Sequence, residues 1–199
     1  MSYSKFKLSE VVEQFGLKYQ KSVLFPTIKP LKLGETWQKV LDAGVELALP
    51  SGSEQARKSN IVYPILMDLR EKSNKEIAIY AGFNLGVDAK LGLNGECDFI
   101  LSISKTLDFI MPPIFILVEA ERHDIELGLG QCAAQMVGAM KFNEKRKAAI
   151  KTIYGCVTTG AVWQFLKLEN NELTISNHLN YLDNVEEIVG IFQYIVDSQ

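Results

Sequence analysis

No stretch of this 199-residue chain reaches the roughly 18 consecutive apolar residues that a membrane helix needs. Cysteine is scarce. Cys97, Cys132 and Cys156 are odd in number, far apart and without a CxxC spacing, which argues against a disulfide framework and against a zinc site. The opening residues Met1-Ser2-Tyr3-Ser4-Lys5-Phe6-Lys7 contain no apolar h-region and no small-residue cleavage site, so a cytoplasmic chain is expected rather than a secreted one. There are no internal repeats and no low-complexity segments. Neither sign of charge dominates: the formal net charge is −3 and the pI about 5.5, which is not the signature of a nucleic-acid-binding domain.

What is present is an ordinary globular composition, 47% hydrophobic and 23% charged, in a chain long enough to bury a real core as one domain. The charge is unevenly spread. Residues 1–33 hold six lysines against Glu10 and Glu13, a local +4. Residues 141–151 hold Lys141, Lys145, Arg146, Lys147 and Lys151 against Glu144, again +4. Such patches can contact phosphates, and they can equally be solvated surface.

Apolar spacing predicts helices over 8–15 and 35–48, with Phe25-Pro26 and Lys29-Pro30 forcing an extended link between them. Residues 1–50 therefore read as an N-terminal helical extension on a core spanning 51–199. Ser51-Gly52-Ser53-Glu54 matches a capping box, with Ser51 as N-cap and Glu54 at N3. A long helix to about Lys72 follows, and Pro64 should kink it or break it at Tyr63. Strands are expected at Glu76–Phe83, Glu96–Ile103 and Ile114–Ala120. The clearest helix spans 124–142, with Ile125, Leu129, Cys132, Met136 and Met140 on one stripe. Strands at Lys151–Thr159 and Val162–Leu168 flank a tight turn at Gly160-Ala161, Glu172–Ile175 adds a short strand, and Val185–Val196 closes the chain as a helix. The order is helix, three strands, helix, two strands, helix: an α/β fold with a mixed central β-sheet flanked by helices.

The informative residues are acids on two of these strands. Asp98 lies near the start of Glu96–Ile103. Glu119 and Glu121 lie at i and i+2 at the end of an apolar run, on one face and roughly 7 Å apart. Ile114–Val118 is apolar at every position, as in a strand buried on both faces, so acids entering it need a reason. Neighbouring strands would bring the three carboxylates together, and converging carboxylates need a cation between them, here Mg²⁺ or Mn²⁺. The ordinary alternatives are a strand-end aspartate in a turn for Asp98, a solvated edge face for Glu119 and Glu121, and a helix cap for Glu54.

This ordered set resembles the PD-(D/E)XK nuclease superfamily, the restriction-endonuclease-like fold, over about residues 50–169. Asp98 matches the family's first acid, and Glu119-Ala120-Glu121 occupies its acidic-x-Lys triplet. Glu54 lies on the preceding helix, where the family often places another acid. Asn60-Ile61-Val62-Tyr63-Pro64-Ile65-Leu66 is similar to the Pro-containing helix of restriction-subunit-like members. Gln131 and Gln135 resemble the glutamines that several branches carry after the triplet, and the segment from Tyr154 to Trp163 looks like the hairpin of bacterial members.

The chain departs from the family where the motif lysine is Glu121. Lys58, one helical turn after Glu54, is the candidate for a migrated lysine. Arg122 should point to the opposite face of the strand. The resemblance implies a divalent-metal-dependent nuclease acting on DNA, in restriction, defence or mobile-element biology, with a homodimer as one way to cut both strands. It implies Asp98, Glu119 and Glu54 as metal ligands, Glu54 directly or through water, and Glu121 as base or second-metal ligand. Gln131 would orient water or phosphate. Lys58, Gln135, Lys145 and Arg146 would contact the substrate. His123 reads as a loop histidine, His178 has no visible partner, and Trp163 and Phe165 read as core. Two other readings stand beside this one: a nuclease fold that has lost chemistry and binds nucleic acid or protein, and a structural protein in which the acids do not converge.

Overall fold

The computed structural model describes residues 2–122 and 124–199. Helix α1 (Leu8–Phe15) and strand β1 (Lys18–Ser22) precede helix α2 (Glu35–Ser51). Helix α3 (Glu54–Arg57) runs through a π-helical turn over Lys58–Val62 into α4 (Tyr63–Lys72). Strands β2 (Ile77–Asn84), β3 (Glu96–Ile103) and β4 (Ile114–Ala120) lead to helix α5 (Ile125–Lys145). Strands β5 (Thr152–Thr158), β6 (Val162–Glu169), β7 (Glu172–Ser176) and the short β8 (Asn180–Tyr181) precede helix α6 (Val185–Asp197). No helix of the described residues is long and apolar enough to cross a membrane.

The eight strands form one mixed sheet in the order β1-β7-β6-β5-β4-β3-β2, with β8 paired to β6. The pairs β4–β5 and β1–β7 are parallel and the rest antiparallel. Strand β4 is interior and buried at every position, as its unbroken apolar run requires. Two cores result. On one face Ile100, Leu117 and Val157 pack with Leu129, Cys132 and Met136 of α5. On the other Phe99, Val118, Phe165 and Trp163 pack with α2, α4 and α6. The turn at Gly160-Ala161 is tight because Gly160 takes φ +80°, and Trp163 Nε1 donates to the Gly160 carbonyl at 3.0 Å.

Three local expectations change. The N-cap before Glu54 is Ser53, which accepts from the Ala56 N–H at 3.2 Å. Ser51 instead belongs to the last turn of α2 and donates to the Ala48 carbonyl. Pro64 does not break the helix. Its ring would press on the Asn60 carbonyl in a regular α-helix, and the π turn just before it widens the ladder there. Finally, Lys18–Ser22 is a strand although it reads Lys-Tyr-Gln-Lys-Ser, with Tyr19 its one aromatic and no apolar alternation. It forms because β7 offers a free edge for parallel pairing, so context overrides propensity.

The segment before α1 crosses α5 at glycines. A Cβ added at Gly138 would stand 2.2 Å from the Tyr3 hydroxyl. Tyr3 is fully buried, and its hydroxyl has no hydrogen-bond partner among the described residues. Gly138→Ala should therefore overpack this contact and destabilise the fold by about 1–3 kcal/mol. Tyr3→Phe removes the clashing oxygen at little cost and should restore most of that loss in the double variant. Thermal melts of the four proteins test this. Strictly additive effects would show that the contact is not the cause.

Candidate functional site

The site begins where β3 and β4 part. Phe99 pairs with Val118, but Cys97, two residues earlier, pairs only with Phe83 of β2. The N–H groups of Asp98 and Ala120 thus lose ladder partners, and two carboxylates replace them. Asp98 N–H donates to Glu119 Oε1 at 3.1 Å, and Ala120 N–H donates to Asp98 Oδ2 at 2.8 Å. Each acid holds the other's strand.

Glu119 is only 2% exposed. From α5, Gln135 Nε2 donates to its Oε1 at 2.5 Å, and Gln131 Nε2 donates to its Oε2. The i, i+4 spacing places both amides over one carboxylate. With the Asp98 N–H, Glu119 accepts three hydrogen bonds out of about four positions.

The other wall comes from α3 and the π turn. Lys58 Nζ lies 2.6 Å from Asp98 Oδ1 and 2.6 Å from Glu54 Oε1. Glu121 continues past β4, where its N–H donates to the Thr158 carbonyl at 2.7 Å and its side chain lies against Gly128. Arg122 turns away toward Gly52, and its carbonyl accepts from Arg57 Nη1. The structure thus brings together Glu54, Lys58, Asp98, Glu119, Glu121, Gln131 and Gln135.

Electrostatics follow from the crowding. Burial, then the charge of Asp98, pushes the Glu119 carboxyl well above the ordinary range. Asp98 is raised by burial, with the Lys58 hydrogen bond pulling the other way. Glu121 is raised by burial and then by Glu54 and Asp98. Burial works against the Lys58 ammonium, but its hydrogen bonds to Asp98 and Glu54 outweigh this and raise its pKa. Four acids against one lysine leave the cluster negative.

Among the described residues, no three His, Cys, Asp or Glu side chains stand grouped to ligate a metal ion as they are. The physical reason is visible. The cation between Glu54 and Asp98 is the Lys58 ammonium, and amide and backbone donors take the Glu119 oxygens. The donor chemistry nevertheless fits a hard divalent ion: carboxylate oxygens in negative excess, beside a buried Gln135 Oε1 that has no hydrogen-bond partner among the described residues.

Two expected substrate contacts are elsewhere. Lys145 and Arg146 sit at the far end of α5, beside Asn143, which bonds Ile114 at the opposite end of β4 from Glu119. Five residue steps along the strand separate those ends, roughly 17 Å. Arg146 stacks on Phe142 at 3.6 Å. His123 lies outside the described residues. Asp68 is a buried structural acid that accepts from Gly34 N–H and Lys72, each at 2.7 Å. Trp163 and Phe165 are fully buried core, as their pattern predicts.

A cavity of about 430 Å³ opens beside Asp98 and Lys58, lined by Gln55, Ser59, Tyr63, Gly82, Glu96 and Phe99 among others. No sequence motif marks it, because its walls come from the helix of residues 54–72 and from two strands. A larger one, about 570 Å³, lies toward the other end of α5 against Phe15, Met140 and Leu168, away from the acids. Comparisons of the chain with protein-family models, with curated proteins and with solved structures find no match in any of the three.

Proposed function

We propose that the chain has a restriction-endonuclease-like core and hydrolyses phosphodiester bonds of DNA with a divalent metal. One observation carries the reading: Lys58 meets Asp98 at 2.6 Å at the point where β3 and β4 diverge. A lysine from the preceding helix there supplies the positive charge that the Glu119-Ala120-Glu121 triplet lacks.

Asp98, Glu119 and Glu54 would hold the metal. Bound Mg²⁺ or Mn²⁺ supplies Lewis-acid polarisation of the phosphate and a water acidic enough to ionise near neutral pH. The protein's own residues do the rest. Gln131 and Gln135 fix the rotamer of Glu119. Lys58 offers an ammonium to the charge that develops on the phosphate oxygens. Glu121, less buried than Asp98 and Glu119 and raised first by burial and then by Glu54 and Asp98, takes the proton of the attacking water at its carboxylate.

A second reading is a nuclease fold that binds nucleic acid or protein without cutting. The three donors that already engage Glu119 favour it. The deciding experiment incubates the protein with supercoiled and single-stranded DNA in Mg²⁺ or Mn²⁺, beside Asp98→Ala and Glu119→Ala prepared identically. Metal-dependent cutting by the native chain, reduced at least about 10³-fold in both variants, is expected. Absence of cutting, or cutting that survives both substitutions as a contaminant's would, leaves the binding reading in possession.

A further inference from the structure

The cavity beside Lys58 and Asp98 has a composition that selects its occupant. Tyr63 forms one side and is 39% exposed, with its ring centroid 6.4 Å from that of the buried Phe99 beneath it. The π turn over Lys58–Val62 delivers Tyr63 directly from the lysine that contacts Asp98. Ala81 and Gly82 of the edge strand β2 leave the opposite side without bulk, and a Cβ built at Gly82 would have Glu96 Oε1 as its nearest neighbour, 3.7 Å away. Gln55 and Ser59 add neutral polar groups.

Charge decides what enters. Among the described residues Lys58 is the only cation in the lining, and it is held by Asp98 and Glu54. Glu96 and Asp98 place two carboxylates on the wall. A phosphate inside this cavity would meet repulsion. A flat, uncharged, aromatic group would meet an exposed ring to stack on and a carboxylate that accepts from its N–H groups. A volume of about 430 Å³ is in the range of small-ligand sites.

We infer that this cavity holds one unpaired nucleobase, stacked on Tyr63, next to the phosphate presented to Asp98 and Lys58. The inference rests on the nuclease reading and narrows it to substrates with unpaired nucleotides. A base inside a duplex has both faces covered and cannot stack on Tyr63 without leaving its neighbours. Single strands and extruded bases meet that demand, and fully paired duplex does not. Tyr63 acts as a specificity determinant, outside the acid cluster itself.

The test is fluorescence anisotropy with labelled oligonucleotides of one sequence: single-stranded, duplex with a one-nucleotide bulge, and fully paired, with Ca²⁺ as the metal. The native chain should bind the first two about tenfold tighter than the third. Tyr63→Ala should lose that preference and leave paired-duplex binding unchanged. Tyr63→Phe, which keeps the ring, should retain it. A 2-aminopurine in the bulge should be quenched by the native chain and by Tyr63→Phe, and not by Tyr63→Ala. A preference for paired duplex, or a Tyr63→Ala protein that binds all three like the native chain, overturns the inference. If metal-dependent cutting sensitive to Asp98→Ala persists in that case, the nuclease reading stands and only the base site falls. Failure of the native chain to bind any of the three oligonucleotides overturns both.

Discussion

On the proposed nuclease reading, Lys58→Met is expected to slow metal-dependent DNA cleavage by about 10²- to 10³-fold. The loss should fall on kcat rather than KM, because the ammonium opposes charge that grows only in the transition state. The same substitution should weaken the metal-free protein. Lys58 and Asp98 are 18% and 11% exposed, so removing the lysine leaves partly buried acids without their counter-charge. A cost of about 2 kcal/mol, or roughly 4–8 °C in Tm, follows for a chain of this size. Millimolar Mg²⁺ should then raise the Tm of the variant more than that of the native chain, since ammonium and metal ion compete for Asp98 and Glu54. Melting curves with and without metal, beside single-turnover cleavage, separate the two effects. A variant that cuts at the native rate removes Lys58 from the chemistry. A metal-induced shift no larger than the native one shows that ion and ammonium do not share a site.

Asn143→Ala should be the more damaging change to the fold, and it should leave the chemistry intact. Asn143 is fully buried on the last turns of α5. Its Oδ1 accepts from the Ile114 N–H at 2.9 Å, and its Nδ2 donates to the Ile114 carbonyl at 2.7 Å. Ile114 opens β4 opposite Ser102, just where the β3–β4 register shifts. The amide thus substitutes for a ladder partner and locks α5 to the strand it covers. Truncation strands two buried backbone groups, each worth about 1–3 kcal/mol when unpaired. A total near 3 kcal/mol lowers Tm by roughly 6–12 °C. Because Ile114 and Glu119 occupy opposite ends of β4, cleavage per folded molecule should be unchanged at low temperature. A melting point within about 2 °C of the native value would show that water takes over the amide's role.

Much of the framework was legible along the chain because it rests on local rules. An apolar residue at every position from Ile114 to Val118 means a strand covered on both faces, and β4 is buried throughout. Asp124 before an apolar stripe means a helix start, and its carboxylate accepts from the Glu126 N–H at 2.8 Å. The convergence of Asp98 with Glu119 was legible for the same reason, since acids entering buried strands demand partners. Other features were hidden. The strand at Lys18–Ser22 has no apolar alternation and exists through its pairing with β7. Ser51 and Ser53 both suit an N-cap, and the length of α2 chose between them. Lys145 and Arg146 look like phosphate contacts by charge alone, and nothing in the sequence tells that helix length carries them to the end of the sheet away from Glu119.

Alternation and periodicity determined which strands are central, which helices flank them, and that three acids needed an explanation. These are properties of neighbours in sequence, where side-chain direction repeats every two or 3.6 residues. Only the tertiary structure decided what stands between the acids. The parting of β3 from β4 frees two backbone N–H groups for Asp98 and Glu119, a π turn aims Lys58 at Asp98, and α5 lays Gln131 and Gln135 over Glu119. Those partners lie between 12 and 40 residues away from the acids they serve, so no local rule could have joined them.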